Sequence, residues 1–272
     1  MNKHYYKKAL TIAGSDSGGG AGIQADIKAF SANGVYGMSA ITAITAQNTK
    51  GVTGIHPVPE EIIKSQITAV MDDIGTDAIK IGMLHSSKVI QKVVETLNQY
   101  NPSNIVIDPV MVATSGDKLL QDEAIETLIK EMLPIATVIT PNLPEAEIIL
   151  GQKIKTEKQF FEAARELSQT KAKAVLLKAG HFYSEELTDL LYISESDETI
   201  KIPGKRIKTK NTHGTGCTLS SAIAAQLAHG LDLKTAIKKG VEYIHQSIQA
   251  GSDFQLGAGH GPVHHFYNFW NE

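Results

Sequence analysis

Apolar residues recur along nearly the whole chain in two alternating patterns, one typical of amphipathic helices and one typical of buried strands. Ile63, Ile67, Val70 and Ile74 follow the spacing of one helix face. The near-continuous run VLLKA at residues 175–179 is typical of a strand that is buried on both sides. Strands that alternate with helices in this way predict an α/β fold, in which helices cover both faces of a mostly parallel central sheet.

Capping and turn residues divide these patterns into elements. Ser86 is a suitable N-cap for the third helix, and TEKQ at residues 156–159 has the form of a capping box. Asn33 and Gly34 are expected to end the first helix. The segment PNLPEAE at residues 141–147 lies between a predicted strand and that capping box, and it is predicted to be a loop.

Composition limits the class of protein. The 272 residues carry a formal net charge of −3, and no cluster of Lys and Arg indicates a nucleic-acid surface. No apolar segment approaches the roughly 18 residues that span a membrane. One cysteine excludes an internal disulfide and is typical of a reducing compartment. We therefore expect a single domain over residues 1–272, in the cytoplasm, that acts on a small molecule and binds neither nucleic acid nor membrane.

Polar side chains gather where the predicted parallel strands end. Asp108, Asn142, Glu145 and Lys178 each lie at or just after the end of an apolar strand. In open α/β sheets, ligands bind beyond the carboxyl ends of the strands. We therefore expect the chemistry of the protein to lie at this edge.

A glycine-rich segment, GSDSGGGAGIQAD at residues 14–26, follows the first predicted strand. It matches the pattern G-x-G-x-x-A, but a dinucleotide site also needs an acidic residue about 20 positions further on. No acidic residue lies between Asp26 and Glu60. A Walker phosphate loop is excluded as well, because no Gly-Lys pair has the required upstream glycine. Residues 18–22 are expected to form a wall or lid of a substrate pocket, where backbone N–H groups can approach a ligand.

A second glycine-rich segment, NTHGTGC at residues 211–217, opens a helix that carries Leu219 and Ile223 on its apolar stripe. The first-turn N–H groups of a helix lack internal partners and carry partial positive charge, so this turn is a candidate phosphate site. Cys217 falls in that turn, where the pKa of a thiol is expected to be lowered. It could be a nucleophile with His213 as its base, an inert buried thiol, or a weak general base in phosphoryl transfer.

The motifs AGSDSGGGAGIQAD, AQNT, KIGM, DPVM, TPNLPEAE and NTHGTGC, in this order, resemble the hydroxymethylpyrimidine/phosphomethylpyrimidine kinases of thiamin biosynthesis. These kinases belong to the ribokinase-like superfamily. The resemblance runs from Thr11 to the GHGPV at residues 259–263, which is nearly the whole chain. It implies a ribokinase-like three-layer α/β/α fold, ATP and Mg²⁺ as cofactors, and a homodimer.

The resemblance also implies individual roles. It implies a substrate pocket formed by Gly14, Asp26, Gln47 and Met83, a triphosphate beside Asn142 and Lys178, Mg²⁺ beside Asp108 and Glu145, and catalysis at Gly214, Thr215, Gly216 and Cys217. The amide of Gln47 offers an acceptor and a donor that match the amine and ring nitrogen of an aminopyrimidine. Asp26 can accept a hydrogen bond from the hydroxymethyl group that becomes phosphorylated. Many ribokinase-like enzymes have aspartate where this chain has Cys217, which weakens the assignment of a base.

The implied activity is transfer of the γ-phosphate of ATP to 4-amino-5-hydroxymethyl-2-methylpyrimidine and then to its monophosphate, which gives the pyrimidine diphosphate for thiamin biosynthesis. A pyridoxal or pyridoxine kinase is the alternative within the same class, because its substrate ring also carries a hydroxymethyl group. Both activities can coexist in this family. A cysteine hydrolase and a non-catalytic vitamer-binding protein are the alternatives from other classes.

Overall fold

One sheet runs through the part of the chain that the computed structural model describes, namely residues 4–111, 120, 122–180 and 186–270. Its strands are β1 (Lys8–Asp16), β2 (Tyr36–Asn48), β3 (Gly51–Pro57), β4 (Ala78–Ile81), β5 (Ile105–Ile107), β6 (Val138–Ile139), β7 (Ala174–Leu177), β8 (Glu186–Ile193) and β9 (Glu198–Lys205). The helices are α1 (Gly22–Ala32), α2 (Glu60–Asp73), α3 (Ser87–Tyr100), α4 (Asp122–Thr127), α5 (Leu143–Leu150), α6 (Glu157–Glu166), α7 (Thr215–Ala228) and α8 (Leu233–Gly251).

The sheet is mostly parallel, as the alternation of strands and helices predicted. The strand order is β3-β2-β1-β4-β5-β6-β7-β8-β9. The strands from β2 across to β7 pair in parallel, whereas β3, β8 and β9 each pair with their neighbours in antiparallel fashion. The carboxyl ends of the six parallel strands therefore meet along one edge, which is where ligands bind in folds of this type.

Two apolar layers flank the sheet, because successive side chains of a strand point to opposite faces. In β7, Val175 and Leu177 join a cluster formed with α2, α3 and α6. Ala174 and Leu176 of the same strand join a second cluster, formed with α1, α7 and α8. This arrangement confirms the three-layer α/β/α architecture.

Several helices begin or end at the residues that the capping signals indicate. The Ser86 hydroxyl accepts a hydrogen bond from the Val89 amide at the start of α3. Thr156 and Gln159 form the predicted capping box of α6. Asn33 follows the last residue of α1 as its C-cap. Local sequence thus determines the ends of these helices.

The prediction of a loop at residues 141–147 is wrong, because α5 begins at Leu143. The Asn142 Oδ1 atom accepts from the Glu145 amide at 2.9 Å, and the Glu145 carboxylate accepts from the Asn142 amide at 2.8 Å. Pro144 lies in the first turn, where helices tolerate proline because its missing N–H would have no partner there. Asn142, which was predicted to contact the nucleotide, and Glu145, which was predicted to contact the metal, thus also form a capping box.

The strand β3 was not predicted from the apolar pattern. Its residues are almost all exposed, and Val52 and Ile55 have 36% and 51% exposure. It forms a hairpin with β2 beside the carboxyl edge of the sheet. No helix in the described part of the chain has both the length and the apolar character that crossing a bilayer requires.

Candidate active site

A cavity of ≈ 780 Å³ opens at the edge where the parallel strands end. The predicted site residues that line it are Gly14, Gln47, Met83, Asp108, Asn142, Glu145, Lys178, Gly214, Thr215, Gly216 and Cys217. Asp26 is not among the lining residues. The fold therefore brings together residues that are up to about 200 positions apart in the sequence, because all of them follow parallel strands or open helices at this edge.

The first turn of α7 forms one wall of the cavity. Gly214 precedes this turn with a φ of 79°, in the left-handed region that favours glycine. A side chain at this position would also overlap the carbonyl oxygen of Gly20. The amides of Gly216 and Cys217 have no hydrogen-bond acceptor within the described residues. These two N–H groups are therefore free to bind an anion, as predicted for the start of a helix.

The helix start faces a charged pair at the ends of β5 and β7. A Cβ atom built on Gly216 would lie 3.1 Å from Asp108 Oδ2 and 3.5 Å from Lys178 Nζ. Lys178 Nζ lies 3.2 Å from Asp108 Oδ1, which also accepts a hydrogen bond from the Thr140 hydroxyl at 3.1 Å. Although burial opposes the charge, Asp108 and Glu145 raise the pKa of Lys178, so this side chain stays cationic. A phosphate on the α7 amides would lie beside this cation.

The prediction that the helix start lowers the pKa of Cys217 is wrong. Burial raises the pKa of the Cys217 thiol to about 11, although Lys80 opposes the shift. Desolvation of the thiolate outweighs the attraction of Lys80 and the hydrogen bond from the Gly22 amide. Cys217 is therefore a protonated thiol at neutral pH, which removes the physical basis for a general-base role.

The cysteine-hydrolase alternative required His213 to act as the base for Cys217. The structure instead places His213 Nε2 at 2.8 Å from Asp16 Oδ2 and at 3.4 Å from the Gln47 amide nitrogen. No hydrogen bond joins His213 to Cys217 among the described residues. The nucleophile and base that a hydrolase needs are not assembled here.

Asp16 organises the first glycine-rich segment, although no sequence pattern singled it out. Its carboxylate accepts hydrogen bonds from the amides of Gly18, Gly20 and Ala21 at 2.8, 3.1 and 2.8 Å. Burial opposes the charge, but the hydrogen bonds from His213 and from the amides of Ala21 and Gly18 lower the pKa of Asp16. The expectation that the amides of this segment approach a ligand is therefore wrong for these three, because they already bind a carboxylate of the protein.

Asp26 does not contact the cavity, which contradicts its predicted role. Its side chain has 0% exposure, and both carboxylate oxygens lie 2.9 Å from Lys80 Nζ. The hydroxyls of Thr11 and Ser221 donate to it at 2.6 and 2.7 Å. All its acceptor positions are thus occupied, so Asp26 has no lone pair for a substrate hydroxyl.

Three of the residues predicted to contact substrate lie in or beside β2: Gln47 belongs to this strand, and Gly14 and Met83 lie next to its residues Ala43 and Thr42. The Met83 side chain packs against Gly14, where an added Cβ would lie 2.6 Å from the methionine methyl group. The Thr45 hydroxyl donates to the Ser15 carbonyl oxygen at 2.8 Å and lies 3.1 Å from the side-chain carbonyl oxygen of Gln47. Gly14 and Met83 are thus in direct contact, and both line the cavity together with Gln47.

The metal prediction fits Asp108 better than Glu145. Asp108 Oδ2 lies on the side of the helix start, and Lys178 and Thr140 both contact the other oxygen. Glu145 is occupied by the capping box, and burial raises its pKa to about 7, with Lys178 opposing and Asp108 adding to the shift. No group of three or more His, Cys, Asp or Glu side chains in the described ranges has the geometry of a metal site. A carboxylate and water molecules would still suit Mg²⁺, which keeps most of its water ligands.

Sequence reasoning missed the apolar end of the cavity, which is lined by Ile202, Leu219, Val241, Ile244 and Ile248. These side chains come from β9, α7 and α8. The stripe on α8 was recognised, but helical periodicity alone does not distinguish a face that packs on the core from a face that lines a cavity. An apolar slot beside a phosphate site is suited to a purine base.

Comparison with known proteins identifies the family. The sequence matches the phosphomethylpyrimidine kinase family over residues 16–264. The chain belongs to the phosphomethylpyrimidine kinase family. The hydroxymethylpyrimidine/phosphomethylpyrimidine kinase of Rhizobium meliloti (strain 1021) is 49% identical over 265 residues, which cover 97% of this chain and 98% of that protein.

Solved structures agree with this membership of the phosphomethylpyrimidine kinase family. The crystal structure of phosphomethylpyrimidine kinase from Clostridium difficile 630 shares 48% identity with a TM-score of 0.79, and the match covers 89% of this chain and 99% of that chain. The pyridoxal kinase of Staphylococcus aureus in complex with AMP-PCP and pyridoxal shares 33% identity with a TM-score of 0.88, and the match covers 98% and 96%. These findings confirm the resemblance drawn from the motifs and identify a kinase with a ribokinase-like fold.

Proposed function

We propose that this protein transfers the γ-phosphate of ATP to 4-amino-5-hydroxymethyl-2-methylpyrimidine, and then phosphorylates the resulting monophosphate to the diphosphate. The observation that carries the proposal is the position of the α7 start. Its free amides at Gly216 and Cys217 lie in one cavity with the Asp108–Lys178 pair and with the Gly14, Gln47 and Met83 group. The relative from Rhizobium meliloti is named hydroxymethylpyrimidine/phosphomethylpyrimidine kinase, and the relative from Clostridium difficile is named phosphomethylpyrimidine kinase.

The residues of the cavity suit the demands of phosphoryl transfer. Its loose transition state spreads negative charge over the transferring group, so catalysis rests on positioning and on electrostatic stabilisation. The free amides of Gly216 and Cys217 would bind that group, and Lys178 would neutralise part of its charge. One preorganised donor of this kind contributes about 2.7–4 kcal/mol to transition-state stabilisation in a protease oxyanion hole.

No strong base is required for this reaction. The attacking oxygen keeps most of its proton in a loose transition state. The protonated Cys217 thiol is therefore compatible with turnover as a neighbour of the acceptor oxygen. We assign Cys217 a packing and amide-donating role in place of a base.

Substrate selection is assigned to Gln47. The exocyclic amine and ring nitrogen of an aminopyrimidine form a donor–acceptor pair, which the Gln47 amide complements. The Thr45 hydroxyl lies 3.1 Å from the carbonyl oxygen of this side-chain amide, and His213 Nε2 lies 3.4 Å from the amide nitrogen. This arrangement favours the pyrimidine, whose edge carries the matching pair.

ATP and Mg²⁺ are proposed as the cofactors. The structures of the related pyridoxal kinase with ADP and with AMP-PCP support a nucleotide in this fold. The apolar slot between β9, α7 and α8 would receive the base, and Asn142 and Lys178 would lie along the triphosphate. Mg²⁺ would neutralise phosphate charge from Asp108, with Glu145 acting through water.

Pyridoxal kinase activity is a second candidate, favoured by the similarity to the S. aureus pyridoxal kinase. Its ring presents a hydroxymethyl group to the same amides. Phosphorus NMR with ATP, Mg²⁺ and separate incubations with the pyrimidine, its monophosphate and pyridoxal will decide. A pyrimidine diphosphate supports the proposal, whereas phosphorylation of pyridoxal alone would refute it in favour of the alternative. ATP consumption without any phosphorylated ring would exclude both.

Three further predictions from the sequence belong to this proposal. They are a single domain over residues 1–272, a homodimer and a cytoplasmic location. Light scattering on purified protein tests the homodimer, since a mass of about 29 kDa, the monomer value, would refute it. Fractionation of cells tests the location.

A further inference from the structure

Lys80 is a buried cation that the sequence-based site did not include. Its side chain in β4 has 0% exposure, and its Nζ atom lies 2.9 Å from both carboxylate oxygens of Asp26. Lys80 belongs to the wall of the active-site cavity, whereas Asp26 lies behind it. The ion pair is therefore a fixed dipole within the wall, with its positive end toward the cavity.

The neighbours of the pair agree with this orientation. A Cβ atom built on Gly82, just after the carboxyl end of β4, would lie 2.8 Å from Lys80 Nζ, which places the ammonium near the edge of the sheet where the cavity opens. Asp26 also accepts hydrogen bonds at 2.6 and 2.7 Å from Thr11 and Ser221, which, like Asp26, are not among the residues that line the cavity. Burial opposes the ammonium charge, but Asp26 raises the pKa of Lys80, so the dipole persists across the working pH range.

The two proposed phosphorylations differ in the charge of the acceptor. In the first, the acceptor is a neutral alcohol. In the second, the acceptor is a phosphate monoester, which carries about −1.5 to −2 charges at pH 7. A fixed dipole in a region of low dielectric constant stabilises the anionic acceptor far more than the neutral one.

We propose that the Lys80–Asp26 pair is a positioning element for the second phosphorylation, whose positive end stabilises the anionic monophosphate next to Cys217. The pair has 0% exposure, so it acts through the wall and not by touching the substrate. This inference rests on the proposed function, because it requires that both phosphorylations occur. It assigns to Asp26 the role of orienting Lys80, in place of the substrate contact predicted from the sequence.

The test compares both steps in four proteins: wild type, Lys80→Met, the double variant Asp26→Asn with Lys80→Met, and Ser221→Ala. Lys80→Met alone leaves Asp26 buried without its partner and is expected to fold poorly. The double variant removes both charges together, which buried pairs often tolerate. Ser221→Ala removes one hydrogen bond to Asp26 but keeps the ion pair, so it controls for loosening of the network. Circular dichroism melting monitors folding in each case.

The readout is the ratio of kcat/KM for the monophosphate to kcat/KM for the alcohol, each supplied separately at saturating ATP. In the folded double variant this ratio is expected to fall by about tenfold or more, whereas it stays at the wild-type value in Ser221→Ala. An equal loss of both steps in the double variant would show a purely structural role and overturn the inference. Wild-type protein that phosphorylates neither acceptor would instead refute the proposed function itself.

Discussion

Replacement of Gly214 by alanine tests whether phosphoryl transfer requires the first turn of α7 in its present position. Gly214 has a φ of 79°, and the left-handed region costs a residue with a Cβ atom roughly 1–2 kcal/mol. The new methyl group would also overlap the carbonyl oxygen of Gly20, and it would lie 3.2 Å from the Ala21 Cα atom. Relief of this overlap requires the backbone to move by on the order of 1 Å, in the same turn that presents the free amides.

The other end of the same helix supplies the matched control. Gly230 has a φ of 86°, but no atom lies within 4 Å of a Cβ built there. Gly230→Ala therefore carries the backbone strain without the overlap. We expect both variants to lose roughly 1–2 kcal/mol of unfolding free energy to strain, with a further loss in Gly214→Ala.

Activity should separate the two variants more sharply than stability. Displacement of a phosphate-binding turn by about 1 Å costs on the order of a hundredfold in rate, so kcat of Gly214→Ala should fall by about that factor. Gly230→Ala should keep kcat within about threefold of wild type, because its site lies a whole helix away from the cavity. The assay is ADP release with the hydroxymethylpyrimidine at saturating ATP, with urea denaturation of both variants. Wild-type turnover by Gly214→Ala, or an equal loss in Gly230→Ala, would refute the assignment of the α7 start as the phosphoryl site.

Three further predictions concern side chains of the cavity. Because burial raises the pKa of Cys217 to about 11, iodoacetamide should alkylate it at pH 7.5 about a hundredfold more slowly than a free thiol. For the same reason Cys217→Ala should keep kcat within about tenfold of wild type. A thousandfold loss of kcat would restore the base role of Cys217. Asp16→Ala removes the acceptor of three amides and should lower the unfolding free energy by roughly 1–3 kcal/mol in urea denaturation at pH 7. Because the pKa of Asp16 is lowered, its contribution to stability is present above pH 3.8 and is lost as the pH falls through the pKa of the folded state. A difference between variant and wild type that persists in acid would contradict this prediction. The pKa of Glu145 is raised from 4.5 to about 7, so its contribution to stability is present below pH 4.5 and is lost as the pH rises toward 7. The melting temperature of Glu145→Gln, compared with that of wild type, should therefore rise over this pH interval. A difference in melting temperature that stays constant with pH would exclude the raised pKa.

The fold was largely predictable because its signals are local. Alternating apolar patterns give the layers, and capping residues such as Ser86 and Thr156 give helix starts. The two failures have local causes as well. The helix α5 contains a proline in its first turn and was taken for a loop, and β3 is so exposed that it has no apolar alternation to detect.

The sequence predicted most of the residues that the structure brings together at the cavity, but not the state of each side chain. A sequence indicates which residues end parallel strands, but it does not indicate which partners reach them from other elements. The burial of Asp26 had a detectable signal, since it lies three residues after Ile23 and four before Phe30 on the apolar stripe of α1. Lys80 had one too, because it stands between two isoleucines of a short buried strand. A charge on such a stripe predicts a buried partner.

Pairing between the charges of the cavity explains where an incoming phosphate can bind. Asp16 is held by three amides and His213, and Asp108 is held by Lys178. These charges are therefore compensated within the protein. At the start of α7, by contrast, the amides of Gly216 and Cys217 have no hydrogen-bond acceptor among the described residues. The attraction of a helix end falls off within its first turn, so an anion must lie against those amides to gain from it. In the proposed function, selection of a phosphate by a chain of net charge −3 thus rests on the donors that remain unpaired, and not on the overall charge of the protein.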